Sequence, residues 1–180
     1  MNYKLLHIFL EGNDDERFCI SIIKPLLEKK YDSVLFYRYA AKTSKKIVNF
    51  IKSIAAMNAD FIIMTDIDDS PCITVKKEEL KKRKIKYHTL NEDNIIVVIK
   101  EIESWYLAGL TAKDLEKLNI NSKIKETDNL TKEQFDRLIP SEFVSRIDFM
   151  QEVLKHFHLE TARRKNKSFN YFFEKYISEK

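Results

Sequence analysis

Short apolar runs alternate with longer amphipathic segments along the first half of the chain. The apolar runs lack polar alternation, which is typical of strands buried on both faces of a parallel sheet. The sequence therefore predicts strands at residues 5–10, 34–37, 59–65 and 95–99. Apolar residues at helical spacing predict helices after residue 13, with a kink or restart at Pro25, and at residues 43–57 and 75–83.

Strands that alternate with helices predict a doubly wound α/β fold, with about four mainly parallel strands and right-handed crossovers. After residue 102 the pattern changes to helices joined by polar connections, predicted at residues 104–110, 111–118, 131–138, 141–157 and 170–177. We therefore expect an α/β core over residues 1–110. A helical extension over residues 111–180 is expected to pack on that core as part of a single structural domain.

Acidic side chains follow three of the predicted strands. Glu11 follows the first strand, Asp66 and Asp68 follow the third, and Glu103 follows the fourth, with Glu101 as the alternative acid there. Residues two apart in an extended segment point to the same side, so Asp66 and Asp68 are expected to act together. Because ligands of open α/β sheets bind at the carboxyl ends of the strands, these acids are expected to converge on one site.

This convergence has an electrostatic consequence. Like charges at close range repel strongly at reduced dielectric unless a metal ion or protons compensate them. Local sequence offers no compensation, since the next cations after Asp68 are Lys76 and Lys77. Carboxylate oxygens are hard ligands that suit Mg²⁺ or Mn²⁺, so a divalent metal site is predicted. The alternative is a loop of solvated aspartates that ends a strand and caps the next helix.

Composition and charge narrow the class of protein. A chain of 180 residues that is 44% hydrophobic and 33% charged, with no apolar run of membrane length and no signal peptide, indicates a cytoplasmic protein without a membrane span. Isolated Cys19 and Cys72 indicate reduced thiols, with Cys19 in the core. The net charge of +4, with basic clusters at residues 76–86 and 163–167, permits a polyanionic partner. Solvated helix faces are the other interpretation of these clusters.

The chain resembles a known family at two pairs of segments. Leu10-Glu11-Gly12 at the end of one strand and Asp66-Ile67-Asp68 at the end of another resemble the signature of Toprim domains. Residues 99–107, IKEIESWYL, and 163–169, RRKNKSF, resemble the acidic-Trp segment and the basic C-terminal segment of RloB-like proteins and of OLD-type nuclease domains. Together the two pairs extend the resemblance over nearly the whole chain.

The resemblance implies a role for each matching acid. Glu11 would be a metal ligand or general acid/base, and Asp66 and Asp68 would hold the metal. Asp15 would help to hold a second metal, although the family has the longer glutamate at that place. Glu103 would be the acid of the Trp segment.

Two further residues belong to the segments that carry the resemblance. Lys167 is favoured over Lys100 and Arg164 as the cation that stabilises charge on the scissile phosphate. Trp105 is expected to fill the core, with base stacking as the alternative.

The activity implied by the resemblance is that of a nuclease dependent on Mg²⁺ or Mn²⁺. Two cations about 4 Å apart would activate water and stabilise the leaving oxygen, or one cation would act with Glu11. The implied partners are nucleic acid, with DNA favoured, a separate ATPase and a second copy of the chain, in defence against phage or foreign DNA. A non-catalytic docking module and an enzyme acting on a small nucleotide are the two alternatives.

Overall fold

The structure is a computed structural model that describes residues 3–86 and 90–178. In these ranges four strands form one parallel sheet in the order β2-β1-β3-β4. The strands are β1 (Leu5–Leu10), β2 (Ser33–Arg38), β3 (Asp60–Asp66) and β4 (Ile95–Val98). Strand β1 pairs in parallel with β2, with Leu5 opposite Ser33, and with β3, with Leu6 opposite Asp60. The α/β fold predicted from the apolar runs is confirmed.

Helices join the strands, as their amphipathic pattern predicted. They are α1 (Asn13–Phe18), α2 (Lys24–Leu27), α3 (Ser44–Ala56) and α4 (Ile73–Glu79). A π-helical turn, Cys19–Ile23, joins α1 to α2, and Pro25 lies in the first turn of α2. The kink or restart expected at Pro25 stays a prediction. A second π-helical turn, Leu80–Lys84, extends α4, and a short 3₁₀ turn, Glu92–Asn94, precedes β4.

Later in the chain the described elements are all helical. They are α5 (Glu103–Ala108), α6 (Ala112–Lys117), α7 (Lys132–Arg137), α8 (Arg146–Lys155), α9 (Leu159–Lys165) and α10 (Lys167–Phe172), with a final π-helical turn (Phe173–Ile177). Three features differ from the prediction here. The helix predicted from residue 141 begins at Arg146, because Ser145 Oγ accepts a hydrogen bond from Asp148 N over 3.1 Å and caps it. Helix α9 was not predicted, and the last helix begins at Lys167 instead of residue 170.

The protein consists of two compact units, Met1–Val97 and Val98–Lys180. This division describes compactness alone, and the domain boundary expected at residue 110 stays a prediction. Within the described ranges, no helix has the length and apolar character needed to cross a membrane.

Both faces of the sheet are covered in the first unit. On one face Phe9 and Ile63 pack with the apolar stripe of α3, which includes Ile51. On the other face Cys19 is fully buried, with its Sγ 3.7 Å from Met64 Sδ. Burial, with smaller contributions from nearby acids, raises the pKa of the Cys19 thiol. The predicted place of Cys19 in the core is confirmed.

Aromatic side chains form the core of the second unit. Trp105 on α5 is fully buried and packs edge-to-face on Phe169 of α10, with ring centroids 5.2 Å apart. Phe135 of α7 and Phe149 of α8 pack on each other at 5.4 Å. The prediction that Trp105 fills the core is therefore confirmed.

We expect Gly109→Ala to lower the free energy of unfolding by about 1–3 kcal/mol, the usual cost of overpacking. Gly109 ends α5, and a methyl group there would overlap the ring of Phe157. Gly12→Ala is the matched control, because its added carbon would make an ordinary 3.4 Å contact with Asp15 Oδ2. Urea denaturation of both variants measures the difference, and equal losses would contradict the close packing at Gly109.

Candidate functional site

Glu11 lies directly after β1, and hydroxyl groups from two other segments hold it. Thr65 Oγ1, on β3, donates to Glu11 Oε1 over 2.7 Å, and the hydroxyl of Tyr39, just after β2, donates to the same oxygen over 2.9 Å. Tyr39 is fully buried, and this burial, followed by the charge of Glu11, raises its pKa well above the ordinary value. Tyr39 therefore stays protonated as a donor, and one oxygen of Glu11 is fixed in orientation.

Asp66 is the last residue of β3, the strand that pairs with β1. Its Oδ1 is shielded from solvent, and Thr65, which precedes it, is the residue that donates to Glu11. Because β1 and β3 run in parallel, Glu11 and Asp66 lie at the same edge of the sheet. The structure thus brings these two predicted acids to neighbouring strand ends.

Asp68 adopts a conformation that differs from the sequence prediction. Its φ is +48°, in the left-handed region, and a turn surrounds it in which Ser70 N donates to the Ile67 carbonyl over 3.1 Å. Asp68 is therefore not part of an extended segment with Asp66. The prediction that strand alternation aligns their side chains was wrong, because the chain leaves the sheet immediately after Asp66.

A lysine balances the negative charge of Asp68. Lys76, in the last turn of α4, forms an ion pair with the Asp68 carboxylate, and only 9% of the lysine side chain is exposed. The prediction that no neighbouring cation compensates this acid was wrong. The short connection between Asp68 and the start of α4 brings the two residues together. That spacing was the available signal, and it identifies Lys76 as a residue of the site that the sequence prediction missed.

Asp15 lies in the first turn of α1 and is buried. Its Oδ2 accepts a hydrogen bond from the Gly12 backbone N–H over 3.0 Å, so this carboxylate stabilises the beginning of the helix. A structural role thus accounts for one of its oxygens, and its role as ligand of a second metal stays a prediction.

Glu103 belongs to the second unit and begins α5. Only 4% of the residue is exposed, and its carboxylate forms an ion pair with Arg146 of α8. Arg146 also contacts Asp136 Oδ1 over 2.7 Å. Glu103 thus has a cationic partner that the sequence prediction missed. The alternative acid, Glu101, accepts a hydrogen bond from the Lys132 backbone N–H.

Lys167, the predicted phosphate-contacting cation, begins α10 in the second unit. Its side chain is 82% exposed, with Nζ 3.6 Å from Asp128 Oδ2. Its backbone N–H donates to the other oxygen of Asp128 over 2.7 Å. The side chain is thus accessible to an anionic ligand, and its catalytic role stays a prediction.

The two segments of the second unit that carry the family resemblance meet in a buried hydrogen-bond network. Ser168 Oγ accepts hydrogen bonds from Trp105 Nε1 over 2.8 Å and from the backbone of Ile99 over 3.2 Å, and it donates to Asn166 Oδ1 over 2.8 Å. Asn166 Nδ2 donates in turn to Thr127 Oγ1 over 3.0 Å and to Ser104 Oγ over 3.3 Å. This part of the basic segment therefore stabilises the fold of the second unit.

The donor set in the first unit fits a divalent metal chemically, since Glu11, Asp66 and Asp68 present hard carboxylate oxygens. In the described ranges, however, no group of three His, Cys, Asp or Glu side chains is arranged to hold a metal ion. Asp68, bound to Lys76, would have to exchange that partner before it could join the other two acids.

Comparison with known proteins gives a likeness to solved structures. No protein-family model and no curated protein matches the chain. Among solved structures, the chain is similar to the C-terminal region of the Burkholderia pseudomallei OLD protein, at 16% sequence identity and a TM-score of 0.49. The likeness covers 99% of this chain and 100% of the other.

Proposed function

We propose that the protein is a divalent-metal-dependent nuclease, with Glu11, Asp66 and Asp68 as the acids that hold Mg²⁺ or Mn²⁺. The observation that carries this proposal is the placement of Glu11 and Asp66 at neighbouring ends of parallel strands, with Glu11 Oε1 held by Thr65 and Tyr39. A carboxylate fixed by two hydroxyl donors presents its charge in a defined direction, as a metal ligand or general base requires.

Different residues of the chain would have different roles in phosphodiester hydrolysis. A bound Mg²⁺ or Mn²⁺ would supply an activated water and stabilise negative charge on the phosphate. Thr65 and Tyr39 keep Glu11 in one orientation, and Asp66 brings its charge to the same sheet edge. In this proposal Lys76 balances the charge of Asp68 until the metal binds, and Lys167, Asp15 and Glu103 keep the roles that the resemblance implies.

The Asp68–Lys76 ion pair favours a second candidate function, a non-catalytic docking module. An acid that already has a buried cation as its partner needs no metal for stability. A site of this kind would present Glu11 and Asp66 to a partner without performing chemistry.

Calorimetric titration with Mn²⁺ tests the proposal. We expect wild-type protein to bind Mn²⁺ and the Asp66→Ala/Asp68→Ala variant to lose that binding. The Glu28→Ala/Asp69→Ala variant, which also removes two carboxylates from the first unit, is the matched control and is expected to bind normally. Lys76→Met is expected to bind Mn²⁺ more tightly than wild type, because the ammonium group no longer competes for Asp68.

A cleavage assay on DNA and RNA then separates the two candidate functions. We expect Mn²⁺-dependent cleavage by wild type and none by Glu11→Gln, which keeps the shape of the side chain but removes its charge. Wild-type protein that binds no Mn²⁺, and whose Lys76→Met variant also binds none, would overturn the nuclease proposal in favour of the docking module. We also propose DNA as the preferred substrate, an ATPase partner, a homodimer and a role in defence. These proposals are supported by the sequence resemblance alone.

A further inference from the structure

The second unit contains a cavity of about 800 Å³ that none of the predicted site acids lines. It lies between the start of α6, the segment of residues 120–125 and α9. Lys123, Lys125, Arg164 and Lys165 line it together with one acid, Glu116, and with apolar and uncharged polar side chains. Its volume is that of a pocket for a small organic ligand.

The charge of the lining favours an anion, since it comprises four cations and one acid. Among residues 3–86 and 90–178, Lys123, Lys125 and Arg164 take part in no ion pair. The neighbouring Arg163, outside the cavity, binds Glu160 over 2.9 Å and also pairs with Glu174. Cations that lack acidic partners around one concave surface create a positive potential that attracts phosphate groups.

The fourth cation and its backbone are held in place. Lys165 Nζ donates to the Leu110 carbonyl over 2.6 Å, and the Lys165 carbonyl accepts from Thr127 N over 2.9 Å. Burial lowers the pKa of Lys165, and the adjacent Arg164 lowers it further, while Asp114 acts in the opposite direction. Arg164 therefore precedes a residue that is held in place, and the positively charged Lys165 lies next to it in the chain.

Apolar side chains also line the cavity. Leu115 of α6 and Ile120 are buried, and Ile124 is half-buried, so these side chains give the cavity a hydrophobic part. The hydroxyl and amide groups of Thr161, Ser122 and Asn121 line the same space. A hydrophobic part, polar groups and clustered cations match a ligand with a flat ring system and a phosphate.

We propose that this cavity binds a nucleoside phosphate, with its phosphate at Lys123, Lys125 and Arg164 and its base against Leu115, Ile120 and Ile124. The ligand is either a free nucleotide or a nucleotide unit within a strand, and these two sources share the recognised chemistry. This proposal goes beyond the nuclease function, because it requires neither a metal nor Glu11, Asp66 and Asp68.

Binding in the presence of EDTA tests the proposal independently of the metal site. The probes are AMP, followed by calorimetry, and a short fluorescein-labelled single-stranded DNA, followed by anisotropy, each at several salt concentrations. The Lys123→Gln/Arg164→Gln variant is expected to weaken binding by about a hundredfold, since it removes two cations that would donate charge-assisted hydrogen bonds to the phosphate. For the DNA probe, the slope of log affinity against log salt is expected to fall by up to about 2.

The matched control is Lys113→Gln/Lys117→Gln, which removes the same charge from exposed positions of α6 outside the cavity lining. A second test variant, Ala112→Glu, adds an acid to the cavity wall and keeps every cation. A glutamate in the first turn of a helix is compatible with folding, so weaker binding by this variant reports on the cavity itself.

Each outcome has a defined meaning. Binding of AMP alone identifies a free nucleotide as the ligand, and binding of DNA alone identifies a strand, and both support the site. Equal competition by inorganic phosphate and AMP would overturn the role of the apolar side chains. Absence of binding by wild type, or equal weakening by the cavity and control variants, would overturn the proposal. The Asp66→Ala/Asp68→Ala variant is expected to keep this binding, so failure of the nuclease proposal and failure of this one are distinguishable.

Discussion

Asn166→Ala is expected to lower the free energy of unfolding of the second unit by about 3 kcal/mol, because it leaves several buried polar groups without partners. Asn166 Oδ1 accepts hydrogen bonds from Ser168 Oγ over 2.8 Å and from Phe169 N over 2.9 Å, and the latter contact caps α10. Asn166 Nδ2 donates to Thr127 and Ser104. Loss of the helix cap alone typically costs about 1 kcal/mol.

Trp105 provides the measurement, because it is the only tryptophan of the chain and its indole N–H joins the same network. Urea denaturation followed by its fluorescence therefore reports on the second unit. Asn129→Ala is the matched control, since Asn129 is exposed in the same unit, and its effect is expected to stay within about 0.5 kcal/mol. If both variants unfold at the same urea concentration, the network does not contribute to stability as described.

The sequence predicted the sheet well because buried parallel strands leave a strong local signal. Strand β1 has the predicted limits, and β3 is displaced by one residue from its predicted range. Helix α9, Leu159–Lys165, was missed. Asn166 follows it and caps α10 by accepting a hydrogen bond from Phe169 N, so an Asn N-cap was a local signal that the prediction did not use. The contacts of Asn166 with Thr127 and Ser104, by contrast, join segments that are distant in sequence.

In the candidate site, too, some residues could be predicted from local sequence and others could not. Its acids could be found locally, since Glu11 and Asp66 each end an apolar strand. Their partners could not, because Tyr39 and Thr65 reach Glu11 only when β1 lies between β2 and β3 in the sheet. Compensation of an acid by a cation likewise depends on helix placement, which sequence spacing only suggests, as Lys76 shows.

Arg146→Ala is expected to lower the free energy of unfolding by about 2–4 kcal/mol, because it leaves the buried carboxylate of Glu103 without its cation. The guanidinium group also contacts Asp136 Oδ1 and lies over the ring of Phe135, 5.4 Å from its centroid. Partial exposure of Arg146 places the expected loss below that of a fully buried pair. Arg137→Ala, at an exposed position of α7, is the matched control and is expected to change stability little.

The same variant tests whether Glu103 is a metal-binding acid. A Glu103 released from Arg146 would be available to a cation, so Mn²⁺ is expected to raise the melting temperature of Arg146→Ala more than that of wild type. Arg146→Ala/Glu103→Gln keeps the first change but removes the carboxylate, and it is expected to lose this additional stabilisation. Equal shifts with Mn²⁺ in all three proteins would show that Glu103 serves only the ion pair, because a ligand can stabilise only the state to which it binds.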